Sequence, residues 1–202
     1  MVVRAEASVQ DVNRQAWNAS TSVLVHPSDV YVGLKTASTF VEQGKPIELD
    51  VLVCDTAGKA LTGRPIELRS ARIDYEYRKG RYQTVYTDRQ SFDESSKGDT
   101  PSHFSLKTPA GGTYQITVRT YDEKDRPNES QLTVWVPGGK QVPERGVTQE
   151  KVVLIPDRKD YQPGDTAQIL VQAPFYPAEG VLTLRRSGLL ETRRFSLTGP
   201  ST

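Results

Sequence analysis

The feature that most constrains this chain is a period-two alternation of apolar and polar residues, broken by Gly or Pro at intervals of roughly 8 to 15 residues. Ile47, Leu49, Val51 and Val53 alternate with Glu48 and Asp50, and Asp55-Thr56-Ala57-Gly58 follows as a turn. There Asp caps the turn and Gly accepts positive φ. Ile66, Leu68 and Ser70 alternate with Glu67, Arg69 and Ala71; Ile73 to Tyr77 and Tyr82 to Thr87 flank the hairpin turn Arg78-Lys79-Gly80-Arg81. Thr113 to Arg119 and Gln131 to Val136 flank a polar loop read as Asp122 to Ser130. Ser22 to Val25, Val30 to Leu34 and His103 to Lys107 read as further strands. No segment carries a helical stripe. The pattern predicts an all-β protein of antiparallel, Ig-like sandwich modules, with about seven or eight strands between residues 30 and 137.

After residue 137 the composition changes. Pro137-Gly138-Gly139-Lys140-Gln141-Val142-Pro143-Glu144-Arg145-Gly146 reads as a linker, and strands resume at Lys151 to Ile155, Thr166 to Gln172, Gly180 to Arg185 and Leu189 to Leu197. The restart looks like an internal repeat: Phe40-x-x-x-Gly44-x-x-Ile47-x-Leu49-x-Val51 compares with Tyr161-x-x-Gly164-x-x-Ala167-x-Ile169-x-Val171, an aromatic before a Gly turn that feeds a core strand, and the two glycines lie 120 residues apart. The domains expected are 1–28, the closing strands of a preceding module; 29–137, a complete sandwich; 138–149, a linker; and 150–202, the first strands of a following module.

Composition excludes several classes. With 26 basic and 25 acidic residues the net charge is +1, so no nucleic-acid footprint is visible. One Cys and two His argue against a disulfide framework or a zinc site. No apolar run approaches the roughly 18 residues of a membrane helix. Cys54, beside Asp55, reads as a half-buried structural thiol, and His26 and His103 as surface or satisfied histidines. Asp93-Glu94, Asp122-Glu123-x-Asp125 and Asp157-x-x-Asp160 read as solvated turns, lacking the calcium-loop pattern. Arg185-Arg186 and Arg193-Arg194 read as one exposed sheet face. Asn18-Ala19-Ser20 and Asn128-Glu129-Ser130 match the glycosylation acceptor pattern. No nucleophile, metal-ligand or phosphate-loop constellation is present, so neither an enzyme nor a cofactor is expected. Two readings of the hairpin with Tyr77, Arg78, Arg81 and Tyr82 stand side by side: a joint contact surface whose rings and guanidiniums suit stacking on sugars or bases, or, as the strand period favours, alternate Tyr residues turned to the core with the cations covering the other side.

Two stretches carry a family resemblance. Val12-Asn13-Arg14-Gln15-Ala16-Trp17-Asn18-Ala19-Ser20, running on to Val25-His26-Pro27 and Tyr31-Val32-Gly33-Leu34, is the first. The second is Ile155-Pro156-Asp157-Arg158-Lys159-Asp160-Tyr161-Gln162-Pro163-Gly164-Asp165-Thr166-Ala167, running on to Pro174-Phe175. Together they resemble bacterial alpha-2-macroglobulin, and the second is similar to the module that leads into the bait-bearing region. The resemblance implies tandem macroglobulin-like sandwiches serving as non-catalytic scaffold in a broad-spectrum protease trap, an endopeptidase inhibitor. Its partners would be neighbouring modules and, for the parent protein, proteases. The parent would lie in the periplasm or cell envelope, with a membrane anchor compatible. The Cys-x-x-Gln thioester motif of many members is absent: Cys54 is followed by Asp55-Thr56-Ala57. Gly112-Thr113-Tyr114-x-Ile116-x-Val118 resembles a late strand of such a module, where a Tyr commonly forms a corner with its ring buried and its hydroxyl bonded to backbone. The competing reading is an Ig-like adhesion or carbohydrate-binding array that uses the Tyr hairpin.

Overall fold

The computed structural model describes residues 2–79, 81–138, 152–173, 176–199 and 201. The expected linker from residue 139 onward, the turn residue Gly80 and the Pro174-Phe175 pair lie outside that set, as does the side chain of Tyr82. Among the described residues there are thirteen strands and no helix. The first pair, β1 (Val2–Gln10) and β2 (Ala16–Leu24), forms a separate antiparallel ribbon. A sandwich follows. One sheet, in the order β3-β4-β7, contains β3 (Val30–Thr36), β4 (Ile47–Asp55) and β7 (Ser102–Leu106). The other, in the order β6-β5-β8-β9, contains β5 (Thr62–Arg78), β6 (Arg81–Lys97), β8 (Gly112–Tyr121) and β9 (Pro127–Val136). Beyond it lie two antiparallel pairs: β10 (Val153–Pro156) with β11 (Ile169–Gln172), and β12 (Ala178–Arg185) with β13 (Leu189–Leu197).

The alternation read in the sequence is the inward face of the sandwich. Ile47, Leu49, Val51 and Val53 of β4, Ile66 and Leu68 of β5, and Tyr114, Ile116 and Val118 of β8 are all buried in one cluster. Each such side chain contributes about 1.5–3 kcal/mol on burial, against about 1–2 kcal/mol per residue of backbone ordering. Only a contiguous core of this kind offsets the entropy.

Three hairpin turns share one construction. Asp55 Oδ1 accepts from the N–H groups of Ala57 and Lys59, both at 2.9 Å, while Gly58 takes φ 86. Asp11 Oδ1 does the same for Asn13 and Gln15 at 2.8 and 2.9 Å, with Arg14 at φ 66. Asp122 Oδ1 does so for Lys124 and Arg126 at 2.9 and 3.0 Å, with Asp125 at φ 57. The Asp carboxylate replaces missing turn partners, and the left-handed residue closes the loop. The expected loop Asp122 to Ser130 is therefore shorter than its composition suggested. β9 already begins at Pro127. Its polar residues serve the edge of β3: Val32 N donates to Asn128 Oδ1 at 3.0 Å, and Ser130 Oγ donates to Val32 O at 2.6 Å.

Other boundaries also shift. Pro65–Ala71 and Ile73–Tyr77 are one 17-residue strand, β5, with an irregularity at Ser70/Arg72 instead of a break. Its partner β6 runs ten residues past the expected end at Thr87, to Lys97. Residues 88–97 are mostly polar because β6 is an edge strand with one buried face, contributing Phe92 to the core. The strand expected from Thr166 begins only at Ile169.

The internal repeat has a structural counterpart. Lys45 N donates to Glu42 O and Asp165 N to Gln162 O, both at 3.0 Å, with Gly44 at φ 85 and Gly164 at φ 95 in the third turn position. That position requires positive φ, which is the reason for glycine in both copies. The segment between β3 and β4 also joins the units. Thr39 O accepts from Trp135 N at 2.9 Å, Thr39 N donates to Asp157 O at 3.1 Å, and Thr39 Oγ1 donates to Pro156 O at 2.5 Å. Thr39 thereby links the end of β9 to the end of β10.

Candidate interaction site

The bulge at Ser70/Arg72 sets the root of the long β5–β6 ribbon. Ser70 pairs with Gln90 but Arg72 pairs with Thr87, so Asp88 and Arg89 together oppose Ala71. Asp88 takes φ 48, a left-handed conformation that Asp tolerates better than most residues. Its carboxylate accepts from Arg72 Nε at 2.6 Å, and Arg72 Nη1 also meets Asp74 Oδ2 at 3.1 Å. The Arg72 side chain is largely buried and lies against Gly112, where an added Cβ would meet Arg72 Cδ at 3.0 Å. Tyr114 beside it is the expected corner: fully buried, with its hydroxyl donating to Ala110 O at 2.9 Å.

Strand parity then places the predicted contact residues. Ser70, Arg72, Asp74, Glu76 and Arg78 share the inward-facing side of β5. Ala71, Ile73, Tyr75 and Tyr77 share the outward side, with Tyr86 of β6 opposite Ile73. The expected joint Tyr and Arg face is therefore divided. Tyr77 is exposed on the outer face, while Arg78 and Arg81 pair on the other, where Arg78 Nε donates to Glu76 Oε2 at 2.8 Å. Tyr82 pairs with Tyr77 in register, and its side chain is not among those described. Between the ribbon root and the middle of the sheet, the outer face forms a trough of about 440 Å3, floored by Ala71 and Thr117 and bounded by Arg69, Tyr86 and Arg89.

Asp122 was expected to be a solvated turn residue, but it is buried. Its Oδ2 accepts from Ser28 Oγ at 3.3 Å, Asp29 N at 3.1 Å and Arg126 Nε at 2.7 Å. Arg126 also pairs with Asp29. Partial desolvation pushes this carboxyl up, but the backbone N–H groups of Arg126, Asp29 and Lys124 and the Arg126 guanidinium more than offset it and hold it far below the usual carboxylate range. The residue staples the β8–β9 turn to the start of β3. Its signal in the sequence was the Asp spacing shared with Asp55 and Asp11.

The remaining candidates have local roles. His26 Nδ1 lies 2.7 Å from Tyr31 Oη. His103 bridges Asp50 at 3.0 Å and Glu48 at 2.8 Å on the outer face of β4 and β7, and these two bonds, Asp50's first, raise its pKa. Cys54 is half-buried at the end of β4. Asp157 Oδ1 accepts from Tyr161 Oη at 2.7 Å and Gln168 N at 2.9 Å, while Arg158 stacks 4.9 Å from the Tyr161 ring. The Asp-Arg-x-x-Tyr part of the second family stretch is thus a self-contained turn lock. Arg193 pairs with Glu191 at 2.5 Å, and by register Arg193 and Arg194 face opposite sides of β13, so they do not form one sheet face. Asn128 and Ser130 are consumed by the β3 edge. Among the described residues, no group of three or more His, Cys, Asp and Glu side chains could hold a metal ion.

No family model matches the chain. An alpha-2-macroglobulin homolog from Nostoc sp. is 30% identical over 189 residues, covering 89% of this chain and 10% of that protein. The chain thus spans about a tenth of the length of that curated relative. Among solved structures, the native conformation of E. coli alpha-2-macroglobulin aligns over 98% of this chain and 14% of its own, with 17% identity and a TM-score of 0.43. A Salmonella alpha-2-macroglobulin mutant aligns over 100% of this chain and 14% of its own, with 14% identity and a TM-score of 0.42.

Proposed function

Since the chain belongs to the alpha-2-macroglobulin family, we propose that it is non-catalytic scaffold of a protease trap, built from consecutive macroglobulin-like modules. The observation that carries this reading is the similarity to the Nostoc homolog along 89% of the chain. In this reading residues 29–137 are one module. Residues 1–28 close the module before it, and 150–202 open the one after it, joined by the 138–149 linker. Two features of the molecule support the division. The ribbon β1–β2 has an unshared apolar face: Val3, Val9, Trp17 and Val23 fall on one side by register and all are exposed. A preceding module would cover that face. At the other end, Thr39 ties the sandwich to Asp157 through one backbone bond and to Pro156 O through its hydroxyl, a path by which a rearrangement in one module would be transmitted to the next.

The parent would act on proteases outside the cytoplasm, in the periplasm or cell envelope, and this segment would perform no chemistry. Sequencing the native reading frame on both sides of the segment tests the proposal. Further sandwich modules and a bait segment are expected. Repeats of a single module ending in a surface anchor would overturn it in favour of an adhesion array.

A further inference from the structure

We propose that the trough on the outer face of the β6-β5-β8-β9 sheet binds a saccharide that carries a carboxylate. The trough is an open depression of about 440 Å3, a volume within the range of small-molecule sites. Its strands are already paired through their backbones: β5 with β6 on one side and with β8 on the other. A peptide laid there would find no free main-chain groups to pair with, as it would at a sheet edge. Recognition must come from side chains and stacking.

The side chains are suited to a sugar ring. Ala71 and Thr117 offer small side chains, and Tyr86, 45% exposed, adds an aromatic ring of the kind that stacks on the apolar side of a pyranose. The Gln115 amide and the Thr117 and Ser91 hydroxyls line the trough. They have no hydrogen-bond partner among the described residues, whereas Gln90 nearby is committed to both N and O of Lys107.

The charge of the ligand follows from the arginines. Arg64, Arg69, Arg72, Arg78, Arg119 and Arg126 of the sandwich each hold a carboxylate partner. Arg89 does not. Its Nε donates to Tyr86 O at 3.3 Å, and its terminal nitrogens, which line the trough, have no partner among the described residues. Arg81 also lacks a carboxylate partner among the described residues, but it sits at the ribbon tip on the opposite face. A planar guanidinium with its outer nitrogens unused suits a ligand carboxylate.

The test uses the 202-residue chain and isothermal titration with tetragalacturonate, a neutral glucose tetramer and tetraglutamate. Tetragalacturonate should bind, and the neutral tetramer about tenfold or more weakly, the difference of one charge-assisted hydrogen bond. Arg89→Gln and Tyr86→Ala should each weaken binding by a similar factor, and Arg119→Gln, whose guanidinium is already held by Glu129, should not. Both trough residues are exposed, so unchanged melting curves verify that the variants fold. Absence of tetragalacturonate binding, unchanged affinity in Arg89→Gln, or equal affinity for tetraglutamate would overturn the proposal. The test needs only this chain, so its outcome is separate from that of the trap reading.

Discussion

Removing the Tyr114 hydroxyl isolates one contact that holds the sandwich together. The ring is fully buried, and its hydroxyl donates to Ala110 O at 2.9 Å, while Asp88 Oδ2 lies at the limit of contact, 3.5 Å. Tyr114→Phe keeps the ring and removes only the donor. The net loss expected is about 1 kcal/mol, the usual worth of a neutral hydrogen bond. For a unit of about 100 residues that lowers Tm by about 4–8 °C. Tyr114→Ala should cost about 3–5 kcal/mol, because it also empties the ring's volume in the core. Urea unfolding provides the assay: the Phe variant should lower the midpoint with an unchanged slope. No measurable loss would mean that the corner bond contributes nothing net. A loss equal to that of the Ala variant would mean that ring packing depends on the hydroxyl, and the two contributions would not be separable.

Asp122 should give the protein an acid-side slope. Its carboxyl titrates near pH 4 when unfolded and lower when folded, so its contribution is present above about pH 4 and lost as pH falls through the folded value. In urea midpoints followed from pH 6 to 2, Asp122→Asn should flatten that slope, and an unchanged slope would refute the staple. His103 works in the opposite direction. Its pKa is raised by Asp50 and Glu48, so its contribution is full below about pH 6.5 and is lost as pH rises through the folded value. A proton NMR titration should show a His103 pKa above that of an unstructured peptide, returning to the ordinary value in a Glu48→Gln, Asp50→Asn variant. Among the described residues, the hydroxyls of Ser70, Ser102 and Thr120 are buried without partners. Thr120→Val should therefore stabilise the sandwich by about 1 kcal/mol, and the two Ser→Ala changes by less because each leaves a small void. Destabilisation by Thr120→Val would mean that the hydroxyl has a partner after all.

Core strands were legible because one buried face imposes strict alternation, as Ile47 to Val53 and Thr113 to Arg119 illustrate. The Asp55 turn and the Tyr114 corner were legible because each rests on local chemistry. What escaped was whatever depended on distant partners. Residues 88–97 hide a strand because an edge strand with one core-facing side tolerates polar residues. Asn128 and Ser130 looked like loop residues because their partner, Val32, is nearly a hundred positions away. Asp122 was misread for the same reason: its Oδ1 makes a local turn, but Oδ2 reaches Ser28 and Asp29. The strands of the Tyr ribbon were legible, yet neighbours in sequence, Tyr77 and Arg78, fall on opposite faces of a strand. The trough beside its root depends on a bulge with no composition signature beyond Asp88.

The most direct test of the scaffold account is a size-selectivity assay on the protein encoded by the native reading frame. A protease is incubated with it, and residual cleavage is measured on a large protein substrate and on a small chromogenic peptide. Trapping predicts that cleavage of the large substrate falls sharply while cleavage of the peptide persists, and that deleting residues 29–137 abolishes the protection. Equal cleavage of both substrates with and without the protein, or protection that survives the deletion, would contradict the account.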